Sequence, residues 1–215
     1  QNLELCVKYF KNDVLDFVHY NKQPFKRKSE VVFVNYNNPT TDFKIDSKCI
    51  YDSVTGKLGL ASCTILWSKS VFDKHKFDES LQYAEEWDLY NRLLIRGISG
   101  FKIREILYYN KKHPNSNTGE FSKGNKKRIM SKLKAMVYMI RNLDNASLLD
   151  MQYAIYFLKF IKKFNIFLIY KELLKSNNLT NMQKARLVLM YPEIKMKSVF
   201  HKTRKFKNNL TQFKL

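Results

Sequence analysis

The chain has 215 residues, 45% of them hydrophobic and 14% aromatic; that is enough apolar material for a sizeable core and excludes wholesale disorder despite 27% charged residues. The length suits one ordinary domain with an appendage, or two small ones, and excludes a large multidomain assembly. Lys and Arg number 39 against 19 Asp and Glu, a net charge of +20, of which +2 is carried through Asn110 and +18 after it. The basicity therefore belongs to the second half.

Three cysteines, Cys6, Cys49 and Cys63, form no CxxC pair, and an odd count argues against a disulfide framework or a zinc site. A reducing, cytoplasmic setting is expected. No run approaches the roughly 18 to 20 consecutive apolar residues that span a bilayer, and no charged-then-apolar leader precedes a cleavage site. The expectation is a soluble or peripheral protein. The sequence opens at Gln1 already in an apolar rhythm and without an initiator Met, so a missing upstream segment is expected.

In chain order, Leu3, Leu5, Cys6, Tyr9 and Phe10 recur at helical spacing and stop near Asn12 and Asp13, predicting a short opening helix. Val14 to Tyr20 and Val31 to Tyr36 are β-rich runs separated by a loop around Pro24, and Asn37 to Thr40 reads as a loop. Gly56 to Ala61 is a small-residue loop leading into the apolar Thr64-Ile65-Leu66-Trp67. The sharpest local signal follows at Glu85 to Gly97, with carboxylates at its start, arginines near its end and glycine after it, as the helix dipole and a left-handed cap favour. Asp88 and Arg92 stand four apart on its surface, while Trp87, Tyr90, Leu93 and Leu94 form its apolar side. Phe101 to Ile103 and Ile106 to Tyr109 read as strands, and Lys111 to Gly119 as a loop. From Lys126 the periodicity becomes helical, in runs 129–140, 148–164, 166–174 and 181–190, and 195–215 is a Lys-rich tail.

Glu85 and Glu86 are the first chemical candidates. A helix start presents free amide donors and positive potential, which hold a carboxylate ionised and fixed in direction, a suitable position for a general base. Acids favour first turns for stability alone, so the pair by itself leaves both readings open. His19, His75, His113 and His201 show no ligand spacing, the six glycines form no phosphate-binding loop, and no serine or cysteine carries a nucleophile signature.

Three ordered pieces add to this: Gly59-Leu60-Ala61-Ser62; then Ser68 to Ser80, containing Phe77-Asp78-Glu79; then Glu85-Glu86-Trp87-Asp88-Leu89-Tyr90-Asn91-Arg92-Leu93 with Gly97. Together they resemble the acceptor half of family 2 glycosyltransferases. In that family a small-residue loop and an apolar strand run into r-x-x-f-x-x-x-G-x-F-D-E and then E-D-x-D-L-x-x-R-L-x-x-x-G. The resemblance covers about residues 1–118 and implies an α/β fold, a partial GT-A (Rossmann-like) domain. Residues 119–194 would form a basic helical subdomain and 195–215 a tail. It implies sugar transfer from a nucleotide-sugar donor to a glycan or lipid-linked acceptor, in bacterial envelope polysaccharide or lipopolysaccharide synthesis.

The role of catalytic base would fall on Glu86, where Glu replaces the family's usual Asp, with Glu85 as the alternative. Trp87, Asp88, Arg92, Ala61 and Ser62 match substrate-binding positions, although Arg92 could equally serve only to pair with Asp88. His113 matches a loop that approaches the diphosphate and its metal. The Mg²⁺ or Mn²⁺ of the reaction would be held mainly by an Asp-x-Asp motif upstream of this chain, and the nucleotide-binding half is likewise absent.

The basic helices raise competing classes. Lysines interleaved with Phe, Tyr, Ile and Leu over 153–170 suit docking on the anionic inner face of the cytoplasmic membrane, or packing within a helical bundle. The same charge would track nucleic-acid phosphates, though no zinc-finger, RNP or KH signature accompanies it. A noncatalytic interaction module is the third class.

Overall fold

A computed structural model describes residues 2–12, 15–32, 41–113, 116–160, 166–190 and 192. The chain divides into two compact units, 1–135 and 136–215. The first is mixed α/β, built on a four-stranded sheet in the order β2-β4-β1-β3, from β1 (Phe17–Phe25), β2 (Thr41–Ile45), β3 (Ile65–Trp67) and β4 (Gly100–Lys111). The central pair β1 and β4 is parallel, and both edge strands run antiparallel to their neighbours.

Alternation along β1 sends side chains to opposite faces. Val18 joins Cys6 and Ile103 in a buried cluster under the opening helix α1 (Asn2–Asn12), where Leu5, Tyr9 and Phe10 pack against it. Phe17 points the other way and meets Trp67, with ring centroids 4.8 Å apart; Trp67 in turn lies 5.2 Å from Tyr90. Tyr90 belongs to the helix α4 (Glu85–Ile95), which buries Leu89, Leu93 and Leu94. Gly97 ends that helix at φ 86°, its N–H bonding the Leu94 carbonyl and that of Ile98 the Leu93 carbonyl. This is the left-handed cap expected at that glycine.

Several sequence expectations are corrected. The segment around Pro24 is strand: β1 pairs with β4 as far as Pro24↔Asn110 and Phe25↔Lys111. Proline is tolerated because β3 covers only 17–19, leaving that side of β1 without a ladder partner among the described residues. Val31 and Val32 are not in a strand, while 33–36 and the loop read at Asn37 to Thr40 lie outside the described residues. The edge strand beside β4 is β2. The helix α2 (Ile50–Thr55), rich in weak helix formers, had no sequence signal and ends on Gly56 at φ 80°. The two segments after Phe101 are one continuous strand, and the loop read over 111–119 gives way to the helix α5 (Asn117–Ser122), capped by the Ser116 hydroxyl, which accepts the Gly119 N–H at 3.1 Å. A one-turn helix, α3 (Val71–Lys74), follows β3.

Gly100 opens β4 between Phe17 and Ile45 of its two neighbours. A methyl group there would collide with the Phe17 carbonyl and come within 2.7 Å of its ring. Gly100→Ala is therefore expected to cost about 1–3 kcal/mol by overpacking, read as a lower urea midpoint with unchanged slope. An unchanged midpoint would show that β1 yields freely.

His19, on the Phe17 face of β1, is buried, with a hydrogen bond to the Gly59 backbone and Nδ1 unpartnered among the described residues. Burial, reinforced by the charges of Lys102 and Lys22, pushes its pKa down to about 3 from 6.5. The unfolded chain binds a proton below about 6.5 that the native state refuses, so stability is full above that pH and falls toward pH 3, by up to ~1.4 kcal/mol per pH unit. Urea unfolding at pH 7, 5 and 4 should show this slope, and His19→Leu should flatten it. An equal slope in the variant would assign the acid lability elsewhere.

The helix α6 (Lys126–Asn145) runs through the division, its first ten residues belonging to the sheet unit. In the second unit the rest of α6 is followed by α7 (Met151–Lys159), α8 (Ile166–Lys175) and α9 (181–190), close to the predicted periodic runs. Asp150 caps α7, and Asp144 at the end of α6 accepts the Ser176 hydroxyl and the Asn177 and Asn178 amides, fastening the turn after α8. Residues 161–165 and the predicted tail at 195–215 lie outside the described residues. Among those described, no helix is long and apolar enough to cross a membrane.

Candidate functional site

The start of α4 opens on a cleft of about 260 Å³ in the sheet unit. Glu85, Glu86 and Trp87 form one wall, Leu60, Tyr83 and Ala84 flank it, and Asn117, Thr118 and Lys132 close the other side. This volume lies just below the roughly 300–1,000 Å³ of drug-sized ligand pockets, a size for one small ring.

The two carboxylates differ in how they are held. The Ser62 N–H donates to Glu86 Oε2 at 3.1 Å, reaching across 24 residues, while Glu85 makes no such bond among the described residues. Ser62 is aimed by its neighbours. The Thr64 hydroxyl donates to the Ala61 carbonyl at 2.9 Å and accepts the Ala61 N–H at 3.2 Å, closing the 3₁₀ turn Ser62–Thr64. Ala61 and Ser62 thus act behind the cleft wall, through Glu86. Burial, followed by the Glu86 charge, pushes the Tyr90 phenol upward.

Helix α4 begins without a side-chain cap, from Ala84 at φ 69°. A left-handed alanine carries a penalty of roughly 1–2 kcal/mol; the segment before it is fixed from α6. The Ser131 hydroxyl accepts the N–H groups of Gln82 and Tyr83, both at 2.9 Å, and donates to the Tyr83 carbonyl at 2.8 Å. Arg128 donates to the Gln82 carbonyl, to Glu120 at 3.2 Å and to Asn117 Oδ1 at 3.0 Å. Tyr83 stacks on Phe121 with centroids 4.7 Å apart and hydrogen-bonds Thr118.

Lys132 sits with its ammonium 3.6 Å from the centroid of the Trp87 ring, and the indole N–H of Trp87 donates to the Val54 carbonyl at 3.0 Å. The lysine is half-buried, and burial lowers its pKa to about 7. The contact with the indole favours its charged form.

Asp88 and Arg92, read from sequence as a surface pair, belong instead to the interior. Asp88 is buried and Arg92 half-buried; Arg92 Nε donates to Asp88 Oδ2 at 2.8 Å, and its other nitrogen donates to the Lys76 carbonyl at 3.0 Å. They face inward because the buried arc of α4 is wider than the apolar residues Trp87, Tyr90, Leu93 and Leu94 alone suggested: Leu89 and the polar Asn91 are buried too. Neither lines the cleft. Burial raises the Asp88 carboxyl above its ordinary range despite the Arg92 hydrogen bond, and Asp88 Oδ1 has no partner among the described residues.

His113 stands exposed just past β4. Among the described residues no three His, Cys, Asp or Glu, His113 included, come together as a group that could hold a metal ion. Lys132, Tyr83, Leu60 and Asn117 were not legible as site residues. Lys132 is embedded in the run Ile129, Leu133, Met136, where only its position between Ser131 and Leu133 at the edge of the apolar stripe sets it apart. The chain matches no family model, no curated protein and no solved structure.

Proposed function

We propose that this chain is the acceptor-side portion of a GT-A glycosyltransferase of the family 2 type, with Glu86 as general base. The observation that carries the reading is the Glu86 carboxylate: one oxygen is held by the Ser62 amide, the other, Oε1, has no hydrogen bond among the described residues, and the side chain lines a cleft sized for one ring. In the reaction, an acceptor hydroxyl gives its proton to Glu86 as its oxygen bonds to the anomeric carbon of the donor. The bond from that carbon to the nucleoside diphosphate breaks, and the diphosphate leaves with the electron pair. The Mg²⁺ or Mn²⁺ of such a reaction would neutralise that leaving group and would be bound outside the residues described. The acceptor would be a glycan or lipid-linked sugar of bacterial envelope polysaccharide or lipopolysaccharide.

The test is a transfer assay on a polypeptide carrying this chain together with a donor-binding half, offered nucleotide sugars, divalent cation and lipid-linked or oligosaccharide acceptors. Transfer that depends on Glu86 supports the reading. Release of nucleoside diphosphate unaffected by replacing either Glu86 or Glu85 removes it.

A second reading concerns the second unit and is favoured by one observation. Helix α9 buries Leu187 yet turns Met182 and Leu189 outward, 83% and 79% exposed, beside Val188 and Arg186. Helix α8 likewise exposes Phe167 and Leu168 in line with Lys171 and Lys175. Residues 136–215 carry 15 Lys and Arg against 4 Asp and Glu. An apolar stripe flanked by cations suits an anionic membrane surface, at about 1 kcal/mol per basic residue near the leaflet. Cosedimentation with vesicles containing phosphatidylserine is expected at low salt, weakening as salt rises, with little on neutral vesicles. Equal binding to both vesicle types counts against docking by charge, and tighter binding to DNA at physiological salt would favour a nucleic-acid partner.

A further inference from the structure

The cleft is electrically lopsided. Glu85 and Glu86 lie on the α4 wall, Lys132 enters from α6, and no ion pair with a carboxylate forms at Lys132 among the described residues. Its only charge-stabilising neighbour there is the Trp87 ring, 3.6 Å from the nitrogen. The fixed cations around it are otherwise spoken for: Arg128, one turn earlier, is committed to Glu120, Asn117 and the Gln82 carbonyl. A half-buried ammonium that touches no carboxylate among the described residues has given up hydration without an ion pair to replace it, which is costly. It is also poised to gain from an anion that enters the cleft.

From this placement we infer that the cleft takes an acceptor sugar bearing an acidic oxyanion, a carboxylate or a phosphate, and that Lys132 is the residue that reads it. The inference rests on the transferase reading of the same cleft. The lopsidedness supplies an orientation as well as affinity. An anionic group is repelled by the Glu85 and Glu86 carboxylates and drawn to Lys132, so the ring is turned with a hydroxyl toward Glu86. Asn117 and Thr118, on the Lys132 side, add neutral hydrogen-bonding groups for the remaining oxygens. A neutral sugar would receive a hydrogen bond from Lys132 but would leave its charge unbalanced.

The test follows the Trp87 indole N–H resonance in the whole 215-residue chain during titration with glucuronate, glucose 6-phosphate, glucose and inorganic phosphate. Both acidic sugars, or one of them, are expected to bind at least about ten-fold more tightly than glucose, the effect of one hydrogen bond to a charged group. Preference for glucuronate alone assigns a carboxylate, and preference for glucose 6-phosphate alone assigns a phosphate. Lys132→Met keeps an unbranched chain over the indole without the charge and is expected to abolish the preference; Lys132→Gln gives the same reading should the methionine variant fold poorly. Equal affinity for glucose, a preference that survives both variants, or inorganic phosphate binding as tightly as the sugar phosphate would each overturn the inference. Its failure is separable from that of the transferase reading: Glu86-dependent transfer without an acidic preference removes only the former, and the preference without any transfer removes only the latter.

Discussion

Glu86→Gln is expected to lower sugar transfer by about 10²–10⁴-fold, the contribution of a positioned general base. Glutamine is the informative replacement because its carbonyl oxygen still accepts the Ser62 N–H, so the turn Ser62–Thr64 and the cleft wall keep their geometry while the proton acceptor is lost. Acceptor affinity should change little and turnover a great deal. Glu85→Gln, which severs no bond to the 61–64 turn, is expected to cost much less. A reversed order would move the base to Glu85, and two mild effects would remove both. Ser62→Pro offers a complementary reading: it deletes the amide that holds Glu86 Oε2 and should lower turnover through disorder of the carboxylate.

Arg92→Leu is expected to destabilise the sheet unit by about 3–5 kcal/mol, the cost of leaving one member of a buried ion pair without its partner. Asp88 is almost wholly enclosed, Arg92 reaches it at 2.8 Å, and the same guanidinium ties α4 to the Lys76 carbonyl, so two connections go at once. Asp88 has an escape by protonation, its carboxyl being already raised by burial, and the loss should therefore shrink at acid pH. Asp88→Asn with Arg92→Leu together should cost less than Arg92→Leu alone, since no buried charge is then stranded. Chemical denaturation of the two variants and the parent chain at two pH values checks this. A fully stable Arg92→Leu with impaired donor binding would instead return Arg92 to the substrate.

The parts of this fold that could be read from sequence are those whose signal is local. The α4 helix has carboxylates at one end, a glycine stop at the other and a 3.6-residue apolar stripe between, and its observed limits, Glu85–Ile95, follow that pattern. The opening helix and the four later helical runs are legible for the same reason. Strands were less so, because pairing decides them: β1 continues through Pro24 only because β4 is long enough to accompany it, and β2, with Phe43 exposed and Ile45 buried, is an edge strand of five residues with too few alternations to register. For the site, Glu85, Glu86 and Trp87 share a turn and were visible together. Tyr83, Asn117 and Lys132 come from three separate stretches and were not, and the charge of Lys132 was lost among the many lysines of a basic half.

The grip of Arg128 and Ser131 on residues 82–83 bears on where this chain can be cut. A truncation near residue 119, treating everything beyond as an appendage, would strip away Lys132 and both of these clasps, leaving the left-handed Ala84 hinge and the two glutamates on a free-swinging segment. The smallest piece that keeps the cleft whole must reach into the middle of α6, so exchange of helical halves between such chains would remake the cleft along with the charge.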